Sequence, residues 1–336
     1  MTLACIFGLS GLMPTAEEEA FFRDTRPWGF ILFRRNVESP SQLRALTTTL
    51  RGFVGREAPI LIDQEGGRVQ RLGPPQWPAY PPARAFQAVV DPYERRELVR
   101  LSARLMALDL AAVGIDVDCV PVADVPAPGA HDIIGDRAYA NEPTEVGRLA
   151  RAAAEGLMAG GVLPVVKHVP GHGRAGADSH EALPVVRASL EELDGVDFEA
   201  FRRLSDMPIA MTAHVVFEAI DPHRPATTSP EVISQIIRGR IGFDGLLVSD
   251  DLSMKALSGE IRDRARMSLD AGCDVVLHCN GGLEEMLEVA AAARPLAGRA
   301  AERARGALAR RPASSEPIDE REARAKLSAA LAVGAK

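Results

Sequence analysis

The sequence predicts a single-domain α/β fold of the (β/α)8 TIM-barrel class, and three observations support this. Short apolar, β-branched runs recur along the chain, and stretches with helical periodicity alternate with them. Eight such units follow one another without a Gly/Ser-rich linker, which favours a closed barrel over an open sheet. A length of 336 residues exceeds that of most domains but is common for a barrel.

The predicted strands are short apolar segments with flanking polar residues or glycines. In chain order they span residues 3–7, 29–33, 59–62, 115–120, 162–166, 209–212, 246–249 and 274–277. Helix candidates between them include residues 93–113, 142–160 and 230–240. The pairs Ser39-Pro40 and Ser229-Pro230 each place a capping hydroxyl before a proline at the first helical position. Residues 283–336, rich in Ala, Arg and Glu, predict a helical extension packed on the outside of the barrel.

The charge balance excludes some partners. With 39 basic and 46 acidic residues the net charge is −7, and the basic residues are scattered, so we expect no nucleic-acid partner. No segment reaches the roughly 18 apolar residues that cross a bilayer, and the N-terminus lacks a basic signal region, so we expect a cytoplasmic monomer without a membrane partner. Four cysteines within or beside apolar runs are predicted to be reduced core residues: Cys5, Cys119, Cys273 and Cys279.

A barrel enzyme carries its reactive side chains at the carboxyl ends of the strands, where the βα loops emerge. Polar side chains follow five of the predicted strands at that end. They are Asp63 after the third, Lys167 and His168 after the fifth, His214 after the sixth, Asp250 after the seventh, and His278 and Asn280 after the eighth.

The segment KHVPGHGRAGADSHE, residues 167–181, is a polar loop with three histidines and three glycines. Asp178 and His180 are two residues apart, so in an extended stretch both side chains lie on one side and the carboxylate can orient the imidazole. This arrangement is typical of an acid/base pair. Two alternatives stay open: the histidines are structural, or they bind zinc with a nearby aspartate.

Two further motifs contain candidate residues. In GFDGLLVSDDLSM, the adjacent Asp250 and Asp251 should point in opposite directions, one of them into the barrel mouth, unless both only cap the next helix. In LIDQEGGRVQRL, Asp63 and Arg71 could bind sugar hydroxyls. Arg137 in IIGDRAY could equally form a surface salt bridge.

Together these segments resemble the family 3 glycoside hydrolases, and more narrowly the single-domain bacterial β-N-acetylglucosaminidases of peptidoglycan recycling, the NagZ type. The likeness runs from about residue 3 to residue 285 and depends most on KHVPGHG followed by ADSH. Val169 stands where the family usually has Phe, which affects only local packing.

The resemblance implies a retaining mechanism with Asp250 as nucleophile and His180 as acid/base, partnered by Asp178. It also implies that N-acetylglucosamine binds to five residues: Asp63, Arg71, Arg137, Lys167 and His168. No cofactor or metal is implied, and the implied substrate is a muropeptide with terminal N-acetylglucosamine β-1,4-linked to anhydro-N-acetylmuramic acid. A histidine donor, with an ordinary pKa near 6.5, can both donate and accept a proton near neutrality, and its glycine-rich loop is expected to move.

Three other functions remain open from the residues alone. Phosphate could replace water in the second step, which would make the protein a phosphorylase, because histidine repels phosphate less than glutamate does. The barrel could also be a zinc-dependent hydrolase, or a sugar-binding protein without catalysis.

Overall fold

The computed structural model of the protein describes residues 1–312 and 314–333. Eight parallel strands close into a barrel in which each strand pairs with its neighbours in sequence and the last pairs with the first. The predicted (β/α)8 fold is therefore confirmed. The barrel strands are β1 Leu3–Phe7, β2 Pro27–Leu32, β3 Ile60–Ile62, β4 Val117–Asp118, β5 Leu163–Val169, β6 Ile209–Thr212, β7 Leu246–Asp251 and β8 Val275–His278.

Helices follow the strands and surround the barrel. The α-helices are α1 Ala16–Thr25, α2 Pro40–Val54, α3 Pro92–Ala111, α4 Pro143–Ala159, α5 Leu190–Gly195, α6 Asp197–Arg202, α7 Ile261–Ala271, α8 Leu283–Ala292, α9 Gly298–Ala309 and α10 Glu320–Val333. Short antiparallel pairings outside the barrel join Gln64–Gly66 to Val69–Gln70 and Val216–Phe217 to Asp221–Pro225.

The two predicted capping serines act as expected. The Ser39 hydroxyl accepts the backbone N–H of Gln42 at the start of α2, and the Ser229 hydroxyl accepts that of Val232 at 3.1 Å. The helix predicted after β6 is a π-helix, Val232–Arg240, rather than an α-helix. Its wider turn continues to Ile241, whose N–H donates to the Ile236 carbonyl five residues back.

Two apolar layers hold the barrel together. The inner cluster fills the barrel with alternate strand residues such as Ile31, Leu61 and Val248, and the outer cluster lies between strands and helices. The C-terminal segment does more than pack outside, since α9 places Ala304 and Ala307 against the inner cluster. Of the predicted extension, residues 313 and 334–336 lie outside the described residues.

Three strand boundaries differ from the prediction in ways that matter for the site. β5 continues to Val169 and β7 to Asp251. The polar residues expected just after these strands therefore lie within their last residues, where the pairing register shifts. β4 covers only Val117–Asp118, although the backbone N–H of Cys119 still donates to the Ile62 carbonyl at 2.8 Å.

All four cysteines are free thiols, and three are buried, but Cys279 is partly exposed at the barrel mouth and is not a core residue. No helix in the described part of the chain is both long and apolar enough to cross a membrane.

Candidate active site

A cavity of about 330 Å³ opens at the carboxyl ends of the strands. Its walls come from the loops after β2, β3, β4, β5, β7 and β8, so residues far apart in sequence face one space. Seven of the eight residues predicted for the site line it: Asp63, Arg71, Arg137, Lys167, His168, His180 and Asp250. The eighth, Asp178, contacts the cavity through His180.

Five charged side chains form a continuous ion-pair network on one wall. Lys167 Nζ lies 2.9 Å from Asp63 Oδ1 and 2.7 Å from Glu65 Oε1. Arg71 Nη2 donates to Asp63 Oδ2 at 3.0 Å, and Arg137 donates twice to Glu65, at 2.8 and 2.9 Å. Three cations and two carboxylates thus fix one another in place, so polar groups are pre-organised for a ligand.

The network shifts the ionisation of its members. Burial would raise the pKa of Glu65, but Lys167 and Arg137 lower it to about 2. Burial would likewise raise the pKa of Asp63, but Lys167 and Arg71 hold it well below its usual value. Burial would lower the pKa of Lys167, but Asp63 and Glu65 hold it well above its usual value. All three therefore remain charged at neutral pH.

Replacing Glu65 with glutamine should destabilise the fold by about 3 to 5 kcal/mol, because the change removes the carboxylate that pairs with Arg137 and one of the two that pair with the buried Lys167. The Glu65 side chain is only 6% exposed. Its pKa is lower in the folded than in the unfolded state, where about 4.3 is expected. The stabilisation should therefore be full above that pH and disappear as the pH falls through the folded value.

Thermal unfolding of both proteins from pH 8 to pH 3 measures this. The matched control is Glu57→Gln, since Glu57 is 84% exposed and pairs with Arg51 at 3.3 Å; its loss should cost less than about 1 kcal/mol. A Glu65→Gln difference that grew on acidification would contradict the assigned sign.

His168 and His172 share one buried carboxylate, that of Asp124, in the loop after β4. His168 Nδ1 lies 2.7 Å from Asp124 Oδ2, and the backbone N–H of His172 donates to Asp124 Oδ1 at 2.6 Å. Burial would raise the pKa of Asp124, but the two histidines lower it. Asp124 therefore orients the His168 ring towards the cavity.

The adjacent acids at the end of β7 differ in their contacts. Asp251 accepts from the Ser253 backbone and hydroxyl at 3.1 and 2.6 Å and from the Cys279 backbone at 3.0 Å. Among residues 1–312 and 314–333, Asp250 accepts one hydrogen bond, from its neighbour's backbone N–H at 2.8 Å. Both acids border the cavity, but the Asp251 carboxylate is held by the loops after β7 and β8, as expected for the acid that faces a neighbouring loop. The carboxylate of Asp250 is the one less engaged by the protein.

A buried histidine supports the backbone beside Asp250. His214 Nε2 lies 2.9 Å from the Asp251 carbonyl and must donate to it, while Nδ1 lies 2.7 Å from the Thr227 hydroxyl. Burial lowers the pKa of His214, so its ring is neutral and Nδ1 accepts. Burial would raise the pKa of Asp250, but His214 and His168 hold it below its usual value. Asp250 is therefore an ionised carboxylate facing the cavity.

Asp178 and His180 form the predicted pair. His180 Nδ1 and the His180 backbone N–H each lie 2.8 Å from Asp178 Oδ1. The segment is a turn and not an extended stretch, so Asp178 Oδ1 hydrogen-bonds to both the ring and the backbone N–H of His180. The pairing was predicted correctly, but the strand-like alternation given as its reason was wrong.

The family model described as the glycosyl hydrolase family 3 N terminal domain matches residues 9–304. The chain belongs to glycoside hydrolase family 3. A β-hexosaminidase of Alkalilimnicola ehrlichii is 43% identical over 283 residues, which cover 82% of this chain and 80% of that protein. A β-hexosaminidase of Pseudomonas aeruginosa is 37% identical over 289 residues, 85% of each chain.

A solved structure is similar over nearly the whole length. NagZ from Neisseria gonorrhoeae, in complex with N-trifluoroacetyl-D-glucosamine, matches with a TM-score of 0.83 and 32% identity over 99% of this chain and 96% of that one. This family 3 chain is therefore a glycoside hydrolase of the β-hexosaminidase type.

Several residues of the family 3 site were not predicted. Glu65 orients Lys167 and Arg137, and Asp124 orients His168. Both acids lie close to the end of an apolar run, and this position is the sequence signal that could have identified them. Arg137 is not a surface residue, since it is buried against Glu65. Conversely, His278 is buried and Asn280 is exposed, and neither borders the cavity, so their expected place at the site was wrong.

The histidines of the family 3 site are not grouped as metal ligands. Within residues 1–312 and 314–333, no three His, Cys, Asp or Glu side chains lie together in an arrangement that could hold a metal ion. The histidines instead pair with Asp124, Asp178 and hydroxyl groups.

Proposed function

We propose that the protein is an exo-acting, retaining β-N-acetylglucosaminidase with Asp250 as nucleophile and His180 as acid/base. One observation carries this proposal. A carboxylate held ionised at the end of β7 and an imidazole paired with a carboxylate on the β5 loop border the same cavity. These are the two kinds of group that a double-displacement glycosidase needs beside the anomeric carbon.

In the first step, an Asp250 oxygen attacks the anomeric carbon and forms an ester bond to it. The bond from that carbon to the leaving oxygen breaks as His180 donates its proton to the leaving oxygen. Because Nδ1 of His180 is engaged by Asp178, Nε2 is the atom that donates. Asp178 supports the charged ring: burial would raise its pKa, but the backbone and ring of His180 lower it.

In the second step, the neutral His180 takes a proton from water as the water oxygen attacks the anomeric carbon. The ester to Asp250 breaks, and the carboxylate is restored. Two inversions at one carbon retain the β configuration. Loop movement that brings His180 towards bound sugar is part of the proposal.

Five side chains are proposed to bind the N-acetylglucosamine unit: Asp63, Arg71, Arg137, Lys167 and His168. Their ion pairs and partly or fully buried positions support a rigid site for sugar hydroxyls and the acetamido group. The N-trifluoroacetyl-D-glucosamine bound to the NagZ of Neisseria gonorrhoeae supports a 2-acylamino sugar here. The proposed natural substrate is a cytoplasmic muropeptide, cleaved by the monomer.

The substrate and stereochemistry can be tested together with 4-nitrophenyl glycosides. We expect the β-N-acetylglucosaminide to be cleaved at least about 100-fold faster than the β-glucoside, because unpaired polar groups penalise a ligand without the acetamide. Proton NMR should show the β anomer forming first. The rate and product should not change when phosphate or a chelator is added.

The outcomes separate the alternatives. A sugar phosphate made in the presence of phosphate would mean phosphorolysis, and activity lost on chelation and regained with zinc would mean metal-dependent hydrolysis. Initial release of the α anomer would contradict the retaining mechanism.

A further inference from the structure

The residue between the proposed acid/base and its partner is buried, although the pair itself is at the surface. Ser179 is 3% exposed, whereas the side chain of His180 is 65% exposed. A turn that projects into solvent is therefore attached to the protein at its centre. Such an attachment can set where a mobile catalytic group stands.

Two hydrogen bonds hold Ser179 in place. Its hydroxyl lies 3.1 Å from His172 Nε2, at the start of the same loop. Its carbonyl accepts the backbone N–H of Ala256 at 3.1 Å, in the loop that follows β7 and Asp250. The turn that bears His180 is thus linked to the loop that bears the proposed nucleophile.

His172 is itself firmly fixed, so it can serve as an anchor. Its backbone N–H donates to the buried Asp124, and its ring packs against the His168 ring with centroids 5.6 Å apart. Burial and the neighbouring His168 lower the pKa of His172 to about 4, so the ring stays neutral in the working range of pH. A neutral ring can accept a hydrogen bond from the Ser179 hydroxyl at Nε2.

We propose that Ser179 is a positioning residue that holds the Asp178–His180 turn against the cavity through its hydroxyl bond to His172. The inference rests on the proposed role of His180. Ser179 touches no reacting atom; it acts by keeping the imidazole within reach of the leaving oxygen. Its effect should therefore appear only where proton transfer by His180 limits the rate; in kcat/KM, which reports the first step, that means substrates with a poor leaving group.

Ser179→Ala tests this, because it removes the hydroxyl and leaves the backbone bond to Ala256. For N,N′-diacetylchitobiose, a poor leaving group, we expect kcat/KM to fall roughly 10- to 100-fold. For 2,4-dinitrophenyl N-acetylglucosaminide, whose leaving group needs no proton, the fall should be less than about threefold. Inhibition by N-acetylglucosamine should be unchanged.

A buried serine outside the cavity lining provides the matched control. Ser268 is buried in α7, where its hydroxyl donates to the Arg264 carbonyl at 2.8 Å. Ser268→Ala removes the same atom, and it should leave the ratio of the two rates unchanged.

A double-mutant cycle distinguishes positioning from general damage. If Ser179 acts through His180, adding Ser179→Ala to His180→Ala should cause no further loss. Equal losses for both substrates, an unchanged rate ratio, or an additive loss in the double variant would each overturn the inference. The parent proposal is judged separately, by whether His180→Ala alone shows the leaving-group dependence.

Discussion

Replacing Asp250 with alanine should lower kcat/KM by roughly 10⁴- to 10⁶-fold, whatever the leaving group, because no covalent intermediate can form. Asp250 is the one acid of the β7 pair whose carboxylate is not occupied by loop contacts. It stays ionised in a buried site near two imidazoles, which suits attack on a carbon that gains positive charge.

Azide gives this prediction a stereochemical readout. In the Asp250→Ala enzyme, azide can enter the space left by the carboxylate and attack an activated aryl glycoside, so the product should be the α-glycosyl azide. Asp270→Asn, an exposed acid on α7, is the control and should keep full activity. An Asp250→Ala enzyme within about tenfold of the wild-type rate would contradict the nucleophile assignment.

The barrel and the strand-end residues were predictable from sequence because both depend on short-range pattern. Apolar runs alternate with amphipathic stretches, and the side chain after each run must lie at the loop end of the barrel. Asp63, Lys167 and Asp250 were found in this way. The π-helix after β6 was missed because its apolar spacing also fits an α-helix.

What could not be predicted depends on contacts between distant parts of the chain. Asp124 and His168 are 44 residues apart, and nothing in either motif indicates that one orients the other. Glu65 is similar, because its importance comes from Arg137 in the loop after β4 and from Lys167 in β5. Ser179 was overlooked because a serine between two reactive residues gives no sign that it is buried.

The ion-pair network and the proposed nucleophile are electrostatically connected. Burial has the largest effect on the pKa of Asp250 and would raise it; His214, His168 and a backbone hydrogen bond lower it. The charge of Lys167 also lowers this pKa, by a smaller amount, although Lys167 is paired with two carboxylates. The five-residue network contains one more cation than anion. Lys167, on the wall proposed to bind the sugar, is thus one of the groups that hold the pKa of Asp250 below its usual value.

Replacing His180 with alanine should slow a substrate more strongly the more its leaving group depends on protonation by a general acid. We expect kcat/KM for N,N′-diacetylchitobiose to fall about 10²- to 10⁴-fold, the usual contribution of a general acid. For 2,4-dinitrophenyl N-acetylglucosaminide the first step should proceed nearly unaided, so the intermediate should accumulate and kcat should be limited by its slow hydrolysis.

Azide again reports the stereochemistry, but the expected product is the opposite anomer. In the His180→Ala enzyme azide needs no general base, so it should speed turnover of the dinitrophenyl substrate and give the β-glycosyl azide. His223→Ala is the matched control, because His223 is an exposed histidine outside the cavity lining. If His180→Ala slowed both substrates equally and azide restored nothing, the proton would have to come from another group. The α product from one variant and the β product from the other would together place the two proposed groups on opposite faces of the same carbon.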